Sequence, residues 1–132
     1  ADWLRAVVVR TRPGNGPEKR SRQWSGSSPP FFTPAATAWL RTQGTQHLVV
    51  DLPSVDREND AGSLLAHRAF WGLPVGAKTV DGDVPLSTIT ELAYVPDAVA
   101  HGAYVLNLQV APFALDAAPS RPVLMPMKAF TA

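Results

Sequence analysis

The sequence predicts an α/β fold: one domain, residues 1–132, with a mixed β-sheet and flanking helices. Three observations predict it. Two short β-branched runs, LRAVVVR and HLVVD, have continuous apolar centres, as in strands covered on both faces. Between them lies a segment of helical period with a helix start and a helix stop. Strand, helix and strand in that order make a βαβ-like unit. The chain has 132 residues, 45% hydrophobic and 17% charged, a globular balance with enough length for a core.

The elements follow in order. Residues 4–10 are the first strand. The stretch TRPGNGPEKRSRQWSGSSPP is then rich in Gly, Pro, Ser and charge, and reads as a long loop. Loops of about 20 residues are uncommon in compact domains and are usually functional or mobile. Its basic residues, Arg12, Lys19, Arg20 and Arg22 with Arg10 at the edge, read as a solvated surface. Thr33 before Pro34 is an N-cap with proline at the first helical position, and Gly44 stops the helix. Ala36, Trp39 and Leu40 form its apolar stripe. Residues 47–51 are a second strand and 63–71 a short apolar helix or turn. Residues 72–87 form a second loop with turn chemistry throughout. Strands are expected over 88–95, 103–113 and 121–127. Pro122 and Pro126 place the last at an edge.

Charge and composition narrow the function classes. The net charge of +1 makes no electrostatic case for nucleic acid or an anionic membrane. No apolar run approaches the ~20 residues of a spanning helix. With no cysteine, thiolate chemistry is excluded, and any metal must rest on histidine and carboxylates.

The chemistry-bearing residues are few. Glu91 lies in the apolar run TITELAYV, where Ile89, Glu91 and Ala93 share one face. An ionised carboxylate there needs a partner or a metal if buried; the alternative is an exposed Glu on a half-wet strand. His67 sits among Leu64, Leu65, Ala66, Ala69 and Phe70. By itself such a histidine is more often a core residue than a ligand, but His plus carboxylate is a common half-site for divalent metals. Asp51, Ser54 and Asp56 cluster where the second strand ends, and each also suits a cap or a turn. Ser54 has no nucleophile elbow around it. His47 and His101 read as surface residues. The run PPFFTP is either a pocket wall or the staple before a helix.

The order "DLPSVD", then "AHR", then "TITEL" resembles the C-terminal half of the cyclase family of metal-dependent hydrolases, which includes kynurenine formamidases and isatin hydrolases. LRAVVVRTR, TPAATAWLRTQG leading into HLVVDLPSVD, and YVLNLQVAPFALDAAPSRPVLMPM also occur in family-like order, so the resemblance covers nearly the whole chain. It implies a swivelling β/β/α fold and a cytoplasmic hydrolase of amide or cyclic amide bonds, of the arylformamidase type. It implies His67 and Glu91 as ligands of zinc or manganese, with Asp51, Ser54 and Asp56 supporting the site, and a small-molecule substrate. The family's His-x-Gly-Thr-His-x-Asp motif is missing; "GTQH" at 44–47 echoes it in the wrong place. The expectation is therefore a C-terminal portion, incomplete without an N-terminal half or partner chain and prone to homo-oligomerise. The rival expectation is a non-catalytic module with a structural or interaction role.

Overall fold

The structure, a computed structural model, describes residues 4–12, 16–77 and 86–127. The described residues are mixed α/β, with two small sheets and two α-helices among them. The chain divides into two compact units, Ala1–Asp97 and Ala98–Ala132.

In the first unit, strands β1 (Ala6–Val9), β2 (His47–Val50) and β3 (Thr88–Thr90) form a parallel sheet in the order β1-β2-β3. The register pairs Val7 with Leu48, Val9 with Val50, and Leu48 with Ile89. Side chains alternate across a strand, so these residues form one apolar row. Helices α1 (Pro34–Thr42) and α2 (Leu65–Trp71) contribute Leu40, Ala66 and Phe70 to the same core, joined by Leu52 and Val55. Val49, of opposite parity, is also buried, so β2 is covered on both faces, as the apolar run Leu48–Val50 requires.

The α1 boundaries follow their signals. The Thr33 hydroxyl accepts from the Ala36 amide at 3.2 Å, Pro34 occupies the first turn, and Gly44 leaves the helix at φ +85°. The two helices are tied by the Thr37 hydroxyl, which donates to the Ala66 carbonyl at 2.9 Å.

The second unit is an antiparallel pair, β4 (Tyr104–Val110) and β5 (Ser120–Pro126), with Leu106 opposite Leu124 and Leu108 opposite Pro122. Each strand has one neighbour among the described residues, which suits the two prolines of β5.

Three expectations need correction. The described strands form two separate sheets, one parallel and one antiparallel, because among the described residues β4 pairs only with β5. The expected strand 88–95 ends at Thr90: Leu92 takes a left-handed conformation, φ +55°, which breaks the ladder. And the first loop is not wholly a solvated surface. It contains a short 3-10 helix, Pro17–Ser21, whose Lys19 is only 7% exposed. Residues 78–85 of the second loop lie outside the described residues.

Candidate functional site

The parallel strands deliver polar residues just beyond their C-terminal ends: Thr11 after β1, Asp51 after β2 and Glu91 after β3. In open α/β sheets that edge is where ligands bind. The chain sorts these residues into two groups.

The first group forms around α2. Leu64, at the N-cap, is in the left-handed region at φ +50° and has no side-chain acceptor to offer the first turn. Asp56 supplies one from upstream. Its Oδ1 accepts from the Ala66 amide at 2.6 Å and its Oδ2 from the His67 amide at 3.3 Å. The same Oδ2 lies 2.6 Å from His67 Nδ1, so the carboxylate that caps the helix also orients the imidazole. Ser54 holds that carboxylate's own segment, its hydroxyl accepting from the Asp56 amide at 3.1 Å. Asp60 anchors the turn before the helix by accepting from the Leu64 and Gly62 amides, which draws its pKa below the ordinary carboxylate value.

Glu91 reaches this group from the sheet. Beyond β3 the Leu92 amide donates to the Leu52 carbonyl and the Ala93 amide to the Val50 carbonyl, so residues 91–93 run beside the end of β2. The Val55 amide then donates to Glu91 Oε1 at 2.8 Å. That oxygen lies 3.3 Å from His67 Nε2. The result is a chain of contacts, Asp56 to His67 to Glu91, with the three side chains 7%, 15% and 27% exposed. The Trp71 ring, one helical turn on, lies 5.3 Å from the imidazole centroid.

Burial works against a charged His67, but the hydrogen bonds to Glu91 and Asp56 outweigh it and raise its pKa above the ordinary value of 6.5. A raised folded-state pKa means that folding favours the protonated form. The resulting stabilisation is full below the unfolded-state value and is lost as pH rises through the folded-state value. In chelator, the difference in unfolding free energy between the natural chain and His67→Gln should therefore shrink as pH rises from below 6.5 to well above it. A difference that stays constant or grows across that range would contradict the assignment.

The same geometry bears on metal binding. Zn–N distances of ~2.0–2.1 Å and Zn–O distances of ~2.0–2.2 Å, at a tetrahedral angle, set two ligand atoms about 3.3–3.5 Å apart. The 3.3 Å between His67 Nε2 and Glu91 Oε1 matches that spacing. A carboxylate on the far nitrogen of a metal-binding histidine, as Asp56 is on Nδ1, fixes the ring and raises its basicity. These two side chains fit part of a coordination shell. Among the described residues, no group of three or more His, Cys, Asp or Glu side chains is placed to hold a metal ion.

The second group takes Asp51 away from His67. Asp51 Oδ2 lies 2.7 Å from Lys19 Nζ, with the side chains 1% and 5% exposed. Thr11 closes the cluster: its amide donates to both Asp51 oxygens at 3.1 Å, its hydroxyl donates to Oδ1 at 2.8 Å, and its carbonyl accepts from Lys19. This is a buried ion pair that ties the long loop to the end of β2. Lys19 escapes sequence reasoning because its partner is distant in the chain. His47 is half-buried in the sheet, Nδ1 3.0 Å from the Thr88 hydroxyl, and His101 is exposed.

No protein-family model matches the chain, and no curated protein matches it. Among the described residues, no helix is long and apolar enough to cross a membrane.

Proposed function

We propose that this chain supplies part of the active site of a metal-dependent hydrolase acting on amide or cyclic amide bonds, similar to the arylformamidases of the cyclase family. It is catalytically incomplete alone. The observation that carries the reading is the Asp56–His67–Glu91 chain of contacts, with Nε2 and Oε1 at the spacing of two ligands on one metal.

Each residue has a definable task. His67 Nε2 and Glu91 Oε1 would hold the zinc or manganese. Asp56 keeps the Nδ1 proton in place, so that the Nε2 lone pair is the one presented to the cation. The Val55 amide holds the Glu91 carboxylate by one oxygen. The metal, when bound, lowers the pKa of its water and polarises the scissile carbonyl. Proton and cation compete for Nε2, so metal binding weakens as pH falls through the His67 pKa.

A catalytic metal generally takes three protein ligands and an open position, so further ligands must come from another segment or partner chain. Within the same reading the substrate is a small molecule and the protein works in the cytoplasm. Association with a second copy or a missing half belongs to the same reading. The swivelling β/β/α architecture belongs to this proposal as well.

The test is complementation. Adding a polypeptide that carries the His-x-Gly-Thr-His-x-Asp segment should give metal-dependent hydrolysis of an aryl formamide. Glu91→Gln should lower that activity at least ~10-fold, because a neutral amide is a poor ligand for a hard cation. Hydrolysis that survives chelation, or is indifferent to Gln at 91, would sink the reading. A second reading, a non-catalytic module, is favoured by one observation: Asp56 caps α2, so the cluster has a structural use without any metal. Complementation that yields metal binding without turnover would support it.

A further inference from the structure

Just beyond the C-terminal ends of β2 and β3, Asp51, Pro53, Leu92 and Tyr94 join residues of the long loop in lining a cleft of about 410 Å³. That volume lies within the range of small-molecule sites. The buried Lys19–Asp51 pair contributes to the lining but is internally neutralised. The uncompensated charge comes from Arg20 and Arg22. Neither guanidinium has a hydrogen-bond partner among the described residues. Arg22 lies 4.5 Å from the centroid of the Trp24 ring, which holds its planar fork in place with the N–H edge available. Apolar surface comes from Pro53, Tyr94 and Leu92. Leu92 is the unusual one: its backbone is strained at φ +55° and the residue is 62% exposed. Strained backbone that holds an apolar side chain open at a cleft is a feature of ligand sites.

We propose that this cleft binds a small organic carboxylate with an apolar body: Arg22 and Arg20 take the carboxylate, and Leu92, Pro53 and Tyr94 cover the body. A planar fork matches a carboxylate through two parallel hydrogen bonds, and its stacking on Trp24 means little side-chain freedom is lost on binding. The apolar wall excludes a bare inorganic anion as the preferred occupant, since such an ion would leave Leu92 in water. The inference does not rest on the metal reading and is tested with chelator present.

The probes are benzoate and hexanoate, compared with formate and inorganic phosphate at matched ionic strength, and followed by amide and side-chain N–H resonances of the labelled chain. Benzoate and hexanoate should shift Arg22 Nε–H, the Trp24 indole N–H and the Leu92 amide saturably. Formate and phosphate should bind at least ~10-fold more weakly, and Arg22→Gln should weaken benzoate at least ~10-fold, the scale of one charge-assisted hydrogen bond. Arg57→Gln, which alters a guanidinium stacked on Phe31, should change nothing. The same spectra report whether each variant is folded. Absence of saturable shifts at these three groups, equal affinity for formate or phosphate, or an unaltered affinity in Arg22→Gln would each overturn the proposal.

Discussion

Lys19→Ala should destabilise the chain by about 3–5 kcal/mol, the cost of removing one member of a buried ion pair and leaving the other charge uncompensated. Asp51 is 3% exposed, so without Lys19 its carboxylate keeps only the amide and hydroxyl of Thr11. Those two donors moderate the loss without replacing the cation. The Thr11 carbonyl also loses a donor, since it accepts from Lys19 at 3.1 Å. Domains of this kind are stable by only about 5–15 kcal/mol, so the urea midpoint should fall far, with an unchanged slope. Replacing both partners with apolar residues, Lys19→Met with Asp51→Leu, should recover much of the deficit, because neither charge then needs hydration. A loss below ~1 kcal/mol for Lys19→Ala would mean the pair behaves like a surface contact.

Asp56→Ala should cost about 3 kcal/mol, seen as a drop in the thermal midpoint on the order of 10 °C. Part is the lost cap: Leu64 cannot replace it, so the amides of Ala66 and His67 lose their acceptor. The rest is the His67 Nδ1–H, left beside nothing that accepts it. Asp56→Asn keeps one oxygen for the Ala66 amide and should cost about half as much. In both variants the Nδ1–H resonance of His67 should move upfield or vanish. If the Nδ1–H signal persists in Asp56→Ala, the orienting contact is wrong even if the stability loss is right.

These two residues also mark where sequence reading stops. The start of α1 is legible because its signals are local: Thr33, Pro34 and Gly44 act on amides and dihedrals within a turn or two. The start of α2 is not, because its cap is Asp56, on the far side of an intervening turn. β2 is legible because Leu48, Val49 and Val50 are consecutive apolar residues, as burial on both faces demands. The end of β3 is not, because alternation in TITELAYV continues past a left-handed turn that Leu92 does not announce. Lys19 hides in a run of charges, and only the end of β2 decides which cation is withdrawn from water.

The site divides in the same way. Glu91 stands out as a carboxylate without local charge on the face of Ile89, but the sequence leaves open whether that face is buried. The structure places its Oε1 3.3 Å from His67 Nε2. Asp51, Ser54 and Asp56 look alike in the sequence, yet one neutralises a lysine, one braces a backbone amide and one orients the imidazole. Those differences depend on which element packs over each, which no local pattern contains. Partner choice between strands is equally non-local, so the division into a parallel and an antiparallel sheet is a property of the assembled chain.

The central claim, that His67 Nε2 and Glu91 Oε1 present themselves together to a divalent cation, is tested most directly by titrating Mn²⁺ into chain carrying ¹⁵N-labelled histidine. The titration is run at two pH values, the higher favouring the deprotonated Nε2 because proton and cation compete for it. The account predicts that the Nε2 resonance of His67 broadens at Mn²⁺ levels that leave His47 and His101 sharp, and that Glu91→Gln requires at least ~10-fold more Mn²⁺ for the same broadening. Equal broadening of all three histidines, or an undiminished response in Glu91→Gln, would contradict it.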